Sequence, residues 1–291
     1  MALGFFLVVL PNVPSRVIIP DRVTSKGEGT RENAAPMAQT IDLNSDLGES
    51  YGALRIGYDD DLFPLISSAN VACGFHGGDP RTLERTVAAC KAHGVGIGAH
   101  PSFPDLVGFG RRVIAATPDE VRTDTLYQLG ALDAFCRAAR VSLQHVKPHG
   151  ALSNATMKDE ALAAAIAAAI AAYNPELILF AMPESALLAA GEAAGLRIAR
   201  EAFADRAYNA DGSLVSRRLP GAMITDPDEA AARMLRLVTA GTLTTIDGQE
   251  LALRADTICT HSDTPGAVAI VQAVRRGLEA AGVTVRAPGK A

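Results

Sequence analysis

The chain has 291 residues, 48% of them hydrophobic and 20% charged, with a formal net charge of −5. This suits one large α/β domain or two small ones. The negative balance and the lack of a long Lys/Arg run argue against electrostatically driven nucleic-acid binding, and no apolar stretch reaches the ~20 residues of a membrane span. Residues 1–10 are apolar, but no basic segment precedes them and no clear small-residue cleavage site follows, which argues against a secretory signal. Residues 11–36 are rich in Pro, Arg, Ser, Gly and Glu without periodicity and read as disordered. Met37 then leads straight into the first strand. Residues 1–36 are therefore expected to be a disordered or mis-assigned extension, with Met37 as the start and 37–291 as a single catalytic domain. A weak signal peptide and a genuine disordered arm are the rival readings.

From residue 40 onward, β-like runs alternate with helical segments. The runs are 41–45, 65–73, 95–99, 142–147, 177–181, 197–202 and 257–260. Asp79-Pro80 opens a helix that Gly94 ends, with Leu83, Val87 and Cys90 as its inner stripe. Thr117-Pro118-Asp119-Glu120 is a capping box. An alanine-rich packed helix covers 161–172, Asp226-Pro227 opens another towards Gly241, and Asp263-Thr264-Pro265 is expected to open the last, ending near Gly282. A hairpin or long loop is expected over 209–226. The βα alternation predicts a parallel sheet. Cys73, Cys90, Cys136 and Cys259 form no close pair and read as buried free thiols of a reducing cytosol.

Six segments set polar side chains at alternate positions where a strand should meet a loop: Asp42-Asn44-Asp46, Asn70 to His76, His100 after Gly96 and Gly98, His145-Lys147-His149, Glu201 to Asp205, and His261-Asp263. Alternate strand residues share a face, so these sets are expected to face one common space. An open doubly wound sheet would draw its ligand contacts from a few strands, whereas most strands contribute here, which favours a barrel or near-barrel.

Asp46 and Glu49 fit a general base, metal ligands, or an orienting pair for a histidine, against a turn-capping role for Asp46. The Gly-Gly after His76 permits a sharp turn or an anion nest, but no Gly-Lys-Ser/Thr follows, so no ATP site is legible. Arg111 and Arg112 read as a cationic clamp or as solvated surface. His145 and His149 have the spacing of a helical zinc pair, but Pro148 argues for a strand, with Lys147 on the same face. Lys147 then binds an anion, or acts as an acid if desolvation lowers its pKa, unless it reaches out into solvent. Asp205-Arg206 reads as a structural ion pair or site residues, Asp263 as a helix cap, and His93 as a cap compensating a helix dipole.

Together the stretches IDLNSDLGES, SANVACGFHGGDP, GVGIGAHPSFPDLVGFGRR, HVKPHGAL, EAFADRAY and DTICTHSD strongly resemble the LamB/YcsF family, the family of the A-subunit of bacterial 5-oxoprolinase. The likeness runs from Ile41 to about Val283. It departs at Ser45, where Cys is common, at Ser153, where Tyr is common, and at Ser262, where Gly is common. The resemblance implies a seven-stranded TIM-like (βα) barrel of the glycoside hydrolase/deacetylase type. It also implies ATP-dependent hydrolytic opening of 5-oxo-L-proline to L-glutamate in the cytoplasm, with Mg accompanying ATP, and two other subunits, B and C. Through the fold it implies a link to carbohydrate metabolism.

On this reading Asp46, His76, His100, Lys147 and His149 are the catalytic candidates. Asn70, Arg112, Glu201, Asp205 and His261 are the substrate-binding candidates. A metal-dependent deacetylase-like hydrolase is the alternative, with Asp46, His76, His100 and His261 around a divalent ion. A non-catalytic lactam-binding subunit is the other.

Overall fold

Along β1 (Thr40–Leu47) the side chains alternate. Ile41, Leu43 and Leu47 join the apolar clusters, while Asp42, Asn44 and Asp46 bond to one another's neighbours across the strands. The computed structural model describes residues 40–289, so the readings of 1–36 and of Met37 as the start fall outside the described residues. After β1 the chain runs through α1 (Asp59–Leu62), β2 (Ser68–Ala72), α2 (Pro80–His93), β3 (Gly96–His100), α3 (Pro118–Ala139) and β4 (Leu143–Val146). Then follow α4 (Gly150–Ala155), α5 (Glu160–Tyr173), β5 (Ile178–Ala181), α6 (Ala186–Ala193) and β6 (Arg197–Phe203). The chain closes with α7 (Pro227–Ala240), β7 (Thr242–Thr244), β8 (Glu250–Ala252), β9 (Thr257–Cys259), α8 (Ala267–Ala280) and β10 (Thr284–Val285).

Strands β1 to β6 and β9 pair in parallel, each with its neighbour, and β9 pairs with both β6 and β1. Among the described residues this closes a seven-stranded βα barrel, the architecture expected from the alternation. β10 adds to the start of β1, and β7 and β8 form an antiparallel hairpin that the sequence pattern does not predict. No helix among the described residues is long and apolar enough to cross a membrane.

The helix ends follow their local chemistry. Asp79 accepts from the Thr82 N–H ahead of α2, and Gly94 ends that helix with φ 69°. Thr117 and Glu120 form the expected capping box of α3, and Asp226 caps α7. The last helix differs: Gly266, at φ 80°, is its N-cap, and Asp263 pairs with Arg111 instead. His93 lies in the last turn of α2, as expected of a residue compensating the helix dipole, and its ring stacks on Phe63 with centroids 5.7 Å apart. Leu129 and Leu132 of α3 and Ile166 and Ile170 of α5 cover one side of the barrel. Met234 of α7 and Ile270, Val274 and Leu278 of α8 cover the other. The four cysteines are buried and form no disulfide. The 209–226 excursion is a loop tied by the isolated bridges Arg206–Met223 and Tyr208–Leu214.

Candidate active site

TIM barrels usually fill their interior with branched apolar side chains; this one stacks hydrogen-bonded polar groups. At the base, Asp42 accepts from Ser67 (2.6 Å), Ser68 (2.8 Å) and Thr257 (2.5 Å). Burial pushes the Asp42 carboxyl up to about 6. Above it Asn44 donates to Thr257 (2.7 Å) and Glu201 (3.0 Å). Asn70 donates to Asn44 (2.7 Å) and Asp46 (2.8 Å), and its Oδ1 accepts from His145 Nε2 at 2.9 Å. The His145 ring lies flat on Phe180, 4.0 Å between centroids, and burial pushes its pKa down to about 3. Each of these side chains at the base thus has a partner, without which its burial would be costly.

At the C-terminal ends of the strands the chemistry changes to charge. Lys147 Nζ lies 2.8 Å from Asp46 Oδ1, 3.2 Å from Glu201 Oε1 and 2.9 Å from Cys259 Sγ. Burial works against charge on Asp46, yet His100 and Lys147 hold its carboxyl well below the usual range. Burial also opposes the Lys147 ammonium, and Asp46 outweighs it, holding Lys147 above the usual lysine range. Lys147 is therefore a fixed cation, which overturns its reading as an acid of lowered pKa. Burial raises Glu201 and pushes the Cys259 thiol well up, so Asp46 is the ionised partner.

Beside this pair sits a buried group of Glu49, His76, His100 and His149. His76 Nε2 donates to Glu49 at 3.1 Å, and its ring stacks on His149 at 3.8 Å with the planes 3° apart. His100 Nδ1 faces the Lys147 carbonyl at 2.6 Å, and His149 Nε2 faces the Phe109 carbonyl at 2.8 Å. The free nitrogens of those two rings, His100 Nε2 and His149 Nδ1, are 3.0 Å apart. His100 Nε2 is also 3.3 Å from Asp46 Oδ2. Burial holds His76 and His149 well below the ordinary histidine range and Glu49 well above the carboxylate range. Opposite them, Asp205 accepts from His261 Nδ1 (2.9 Å) and Thr264 (2.6 Å).

These groups meet in a cavity of about 610 Å³, to which Asp46, His100, Lys147, His149 and His261 contribute the floor. Its rim is cationic: Arg111, Lys158, Arg206, Arg217 and Arg218. A cavity of about 560 Å³ at the opposite strand ends, beside Gly96, Gln144 and Ile178, has no such cluster of histidines and carboxylates. The arrangement suits holding an anion at the rim while a water or proton is handled at the floor.

Residues 41–291 match the family model described as the LamB/YcsF family. The chain belongs to the LamB/YcsF family. It is 55% identical over 249 residues to a protein of Symbiobacterium thermophilum named as the A-subunit of 5-oxoprolinase, covering 86% of this chain and 95% of that one. A protein of the same name from Thermus thermophilus is 53% identical over 247 residues, 85% of this chain and 99% of that one. The crystal structure of the lactam utilization protein from Thermus thermophilus superposes with a TM-score of 0.82 at 53% identity, covering 86% of this chain and all of that one.

In this LamB/YcsF barrel Asp46, Asn70, His76, His100, Lys147, His149, Glu201, Asp205 and His261 all lie in or directly beneath the mouth. Arg112 does not. Asp105 holds it through both Nε and Nη2, with its side chain 65% exposed, and the neighbouring Arg111 is the one that lines the cavity. Asp205 and Arg206 are not partners: Asp205 serves His261, and Arg206 donates to the Val215 carbonyl. The set Asp46, His76, His100 and His261 does not converge on one point. His76 and His100 group with Glu49 and His149, and Asp46 and His261 with Cys259. Ser153, at one of the departures from the family pattern, lines the cavity. Asp46 and Glu49, which the sequence offered as an orienting pair for a histidine among other roles, each meet one: Glu49 meets His76 and Asp46 meets His100. The proximity of Cys259 to Lys147 had no signal beyond its place in a strand.

Asp205 gives a pH prediction. Burial alone would raise its carboxyl, but His261 lowers it from 3.8 to about 2. A depressed carboxyl stabilises the fold fully above its unfolded pKa and loses that contribution as pH falls towards its folded pKa. The contribution is about 2 kcal/mol. Urea midpoints of the parent and Asp205→Asn should differ most above pH ~5 and converge as pH falls from ~4 towards ~2. A gap that stays constant across that range rejects the assignment.

Proposed function

We propose that this chain is the hydrolytic barrel of an ATP-dependent 5-oxoprolinase. In this reading it opens 5-oxo-L-proline to L-glutamate in the cytoplasm, together with two other subunits, B and C. The observation that carries the proposal is the 53–55% identity to relatives named as the A-subunit of 5-oxoprolinase over nearly their whole length. The cavity supports it chemically, with a cationic rim above a floor of Lys147, Asp46 and histidines.

The lactam is an unstrained amide, so its carbonyl carbon is a weak electrophile. ATP, with Mg, supplies a phosphoryl group to the lactam oxygen, which makes the carbon attackable by water. Water then adds to that carbon, the ring C–N bond breaks as the nitrogen takes a proton, and a second water cleaves the resulting γ-glutamyl phosphate to glutamate and phosphate. The rim arginines bind the substrate carboxylate and the phosphoryl oxygens. Lys147, fixed by Asp46, places a positive charge where negative charge develops. Asp46, which faces the cavity, accepts the proton of the attacking water in this reading, and His100 and His149 beside it hold that water at the floor. His76 sits behind them and holds Glu49 in place.

A reconstituted assay following glutamate and ADP tests this reading. Glutamate release should require this chain and both other subunits, and the lone chain should be almost inactive, since it carries no recognised phosphate-cradling motif. Undiminished glutamate release by B and C without this chain would sink the hydrolytic role. Full turnover by this chain alone would sink the dependence on partners.

A further inference from the structure

Carbonyl oxygens accept hydrogen bonds and never donate them. The nitrogens that face the carbonyls of Lys147 and Phe109, His100 Nδ1 and His149 Nε2, must therefore carry hydrogen. In the neutral rings this leaves His100 Nε2 and His149 Nδ1 as bare lone pairs. They face each other at 3.0 Å, with Glu49 Oε1 3.6 Å from His149 Nδ1 and Asp46 Oδ2 3.3 Å from His100 Nε2. Two buried imidazole lone pairs 3.0 Å apart, with a carboxyl group beside each, repel one another unless a proton or a metal ion lies between them.

We infer that His100 Nε2, His149 Nδ1 and Glu49 hold a divalent transition-metal ion at the barrel mouth, with a further coordination position open to the cavity. Four features support a metal. The first is spacing: zinc bonds of about 2.0–2.1 Å at tetrahedral angles put ligand atoms about 3.3–3.4 Å apart. The two separations here, 3.0 and 3.6 Å, bracket that value.

The second is ring direction. His100 and His149 meet edge to face at 84°, so their in-plane lone pairs can converge on one point. His76 cannot join them, because its ring lies parallel to His149 and parallel rings cannot both aim an in-plane lone pair at one ion. The third is the outer layer. Ligating histidines typically donate their other N–H to a carbonyl or carboxylate, as both do here, and the His76 N–H fixes Glu49. His76 is thus a positioning residue. The fourth is access, since His100 and His149 both line the 610 Å³ cavity. Two imidazoles and one carboxylate favour Zn²⁺, Co²⁺ or Mn²⁺ over Ca²⁺ or Mg²⁺, which prefer all-oxygen sites. The inference does not depend on the substrate being 5-oxoproline.

The test uses tag-free full chain, stripped with a chelator and titrated with Co²⁺ and Zn²⁺. One equivalent of Co²⁺ should bind and give visible d–d absorption without the intense near-ultraviolet band of a thiolate ligand, and Zn²⁺ should displace it. His100→Ala and His149→Ala should each weaken Zn²⁺ binding by more than ~100-fold, and His76→Ala by ~10–100-fold. His93→Ala should bind as the parent does. Circular dichroism checks that the variants fold; should they not, the stoichiometry and spectrum of the unaltered chain still decide. Absence of stoichiometric binding by the parent would mean that a shared proton bridges the two rings, and the metal site is wrong. Binding that survives His149→Ala but is lost in Cys259→Ser or His261→Ala would move the ion to the Asp46, Cys259 and His261 group and equally overturn the assignment.

Discussion

Lys147→Ala is expected to cut turnover of the assembled enzyme by ~100-fold or more and to destabilise the barrel by ~3–5 kcal/mol. The sequence alone suggests an unpaired cation whose removal spares the fold. The structure corrects this, because Lys147 and Asp46 form a salt bridge of 2.8 Å with side chains 5% and 4% exposed. Breaking a buried pair from one side strands the other charge, and that stranded carboxylate carries most of the stability cost. Lys147→Met tests the origin of the loss, since it keeps most of the stem and removes only the ammonium. It should be nearly as unstable as Lys147→Ala. Adding Asp46→Asn to Lys147→Met should recover much of the stability, because the uncompensated charge disappears, while activity stays lost. Urea midpoints and glutamate release separate the two effects. An unchanged midpoint for Lys147→Met would show that the ion pair does not contribute to folding; normal turnover would remove Lys147 from the mechanism.

The barrel was legible because its two faces differ so sharply in polarity. In β1 a period of 2 separates Asp42, Asn44 and Asp46 from Ile41, Leu43 and Leu47, and no helix would bring those three polar groups to one face. Helix starts were legible where one side chain determines them, as at Asp79, Thr117 and Asp226. They misled where a side chain has a better partner elsewhere. Asp263 precedes Thr-Pro as a cap would, but Arg111, 152 residues away in sequence, takes its carboxylate. The choice between Arg111 and Arg112 was likewise not legible, because adjacent loop residues carry no periodicity and Asp105 decides which one turns away. The hairpin of β7 and β8 has only three residues a side, TLT paired with ELA, and gives no pattern above that of a loop. Ring directions were the least accessible. Which nitrogen of His100 or His149 is free depends on carbonyls at Lys147 and Phe109, 47 and 40 residues away.

Gly98→Ala is expected to destabilise the protein by ~3 kcal/mol and to lower activity, although it adds one methyl group inside a strand. The alternate glycines 96 and 98 ahead of His100 mark this strand in the sequence, but their reason lies in the neighbouring strand. A Cβ on Gly98 would overlap the His145 ring at Nε2 and Cδ2, far inside contact distance. The ring cannot retreat, because it lies flat on Phe180 and donates to Asn70 at 2.9 Å. Displacing it releases Asn70, which in turn positions Asp46 beneath Lys147. The added methyl thus acts on the mouth through two hydrogen bonds. Gly130 provides the contrast: it lies within α3, and a Cβ there meets nothing within 4 Å. Gly130→Ala should be neutral or stabilising by up to ~1 kcal/mol, as helix propensity favours Ala. Combining Gly98→Ala with His145→Ala should cost less than the sum of the two single changes, because the clash then has no partner. If Gly98→Ala unfolds at the same urea concentration as the parent, the packing of His145 against β3 described above is wrong.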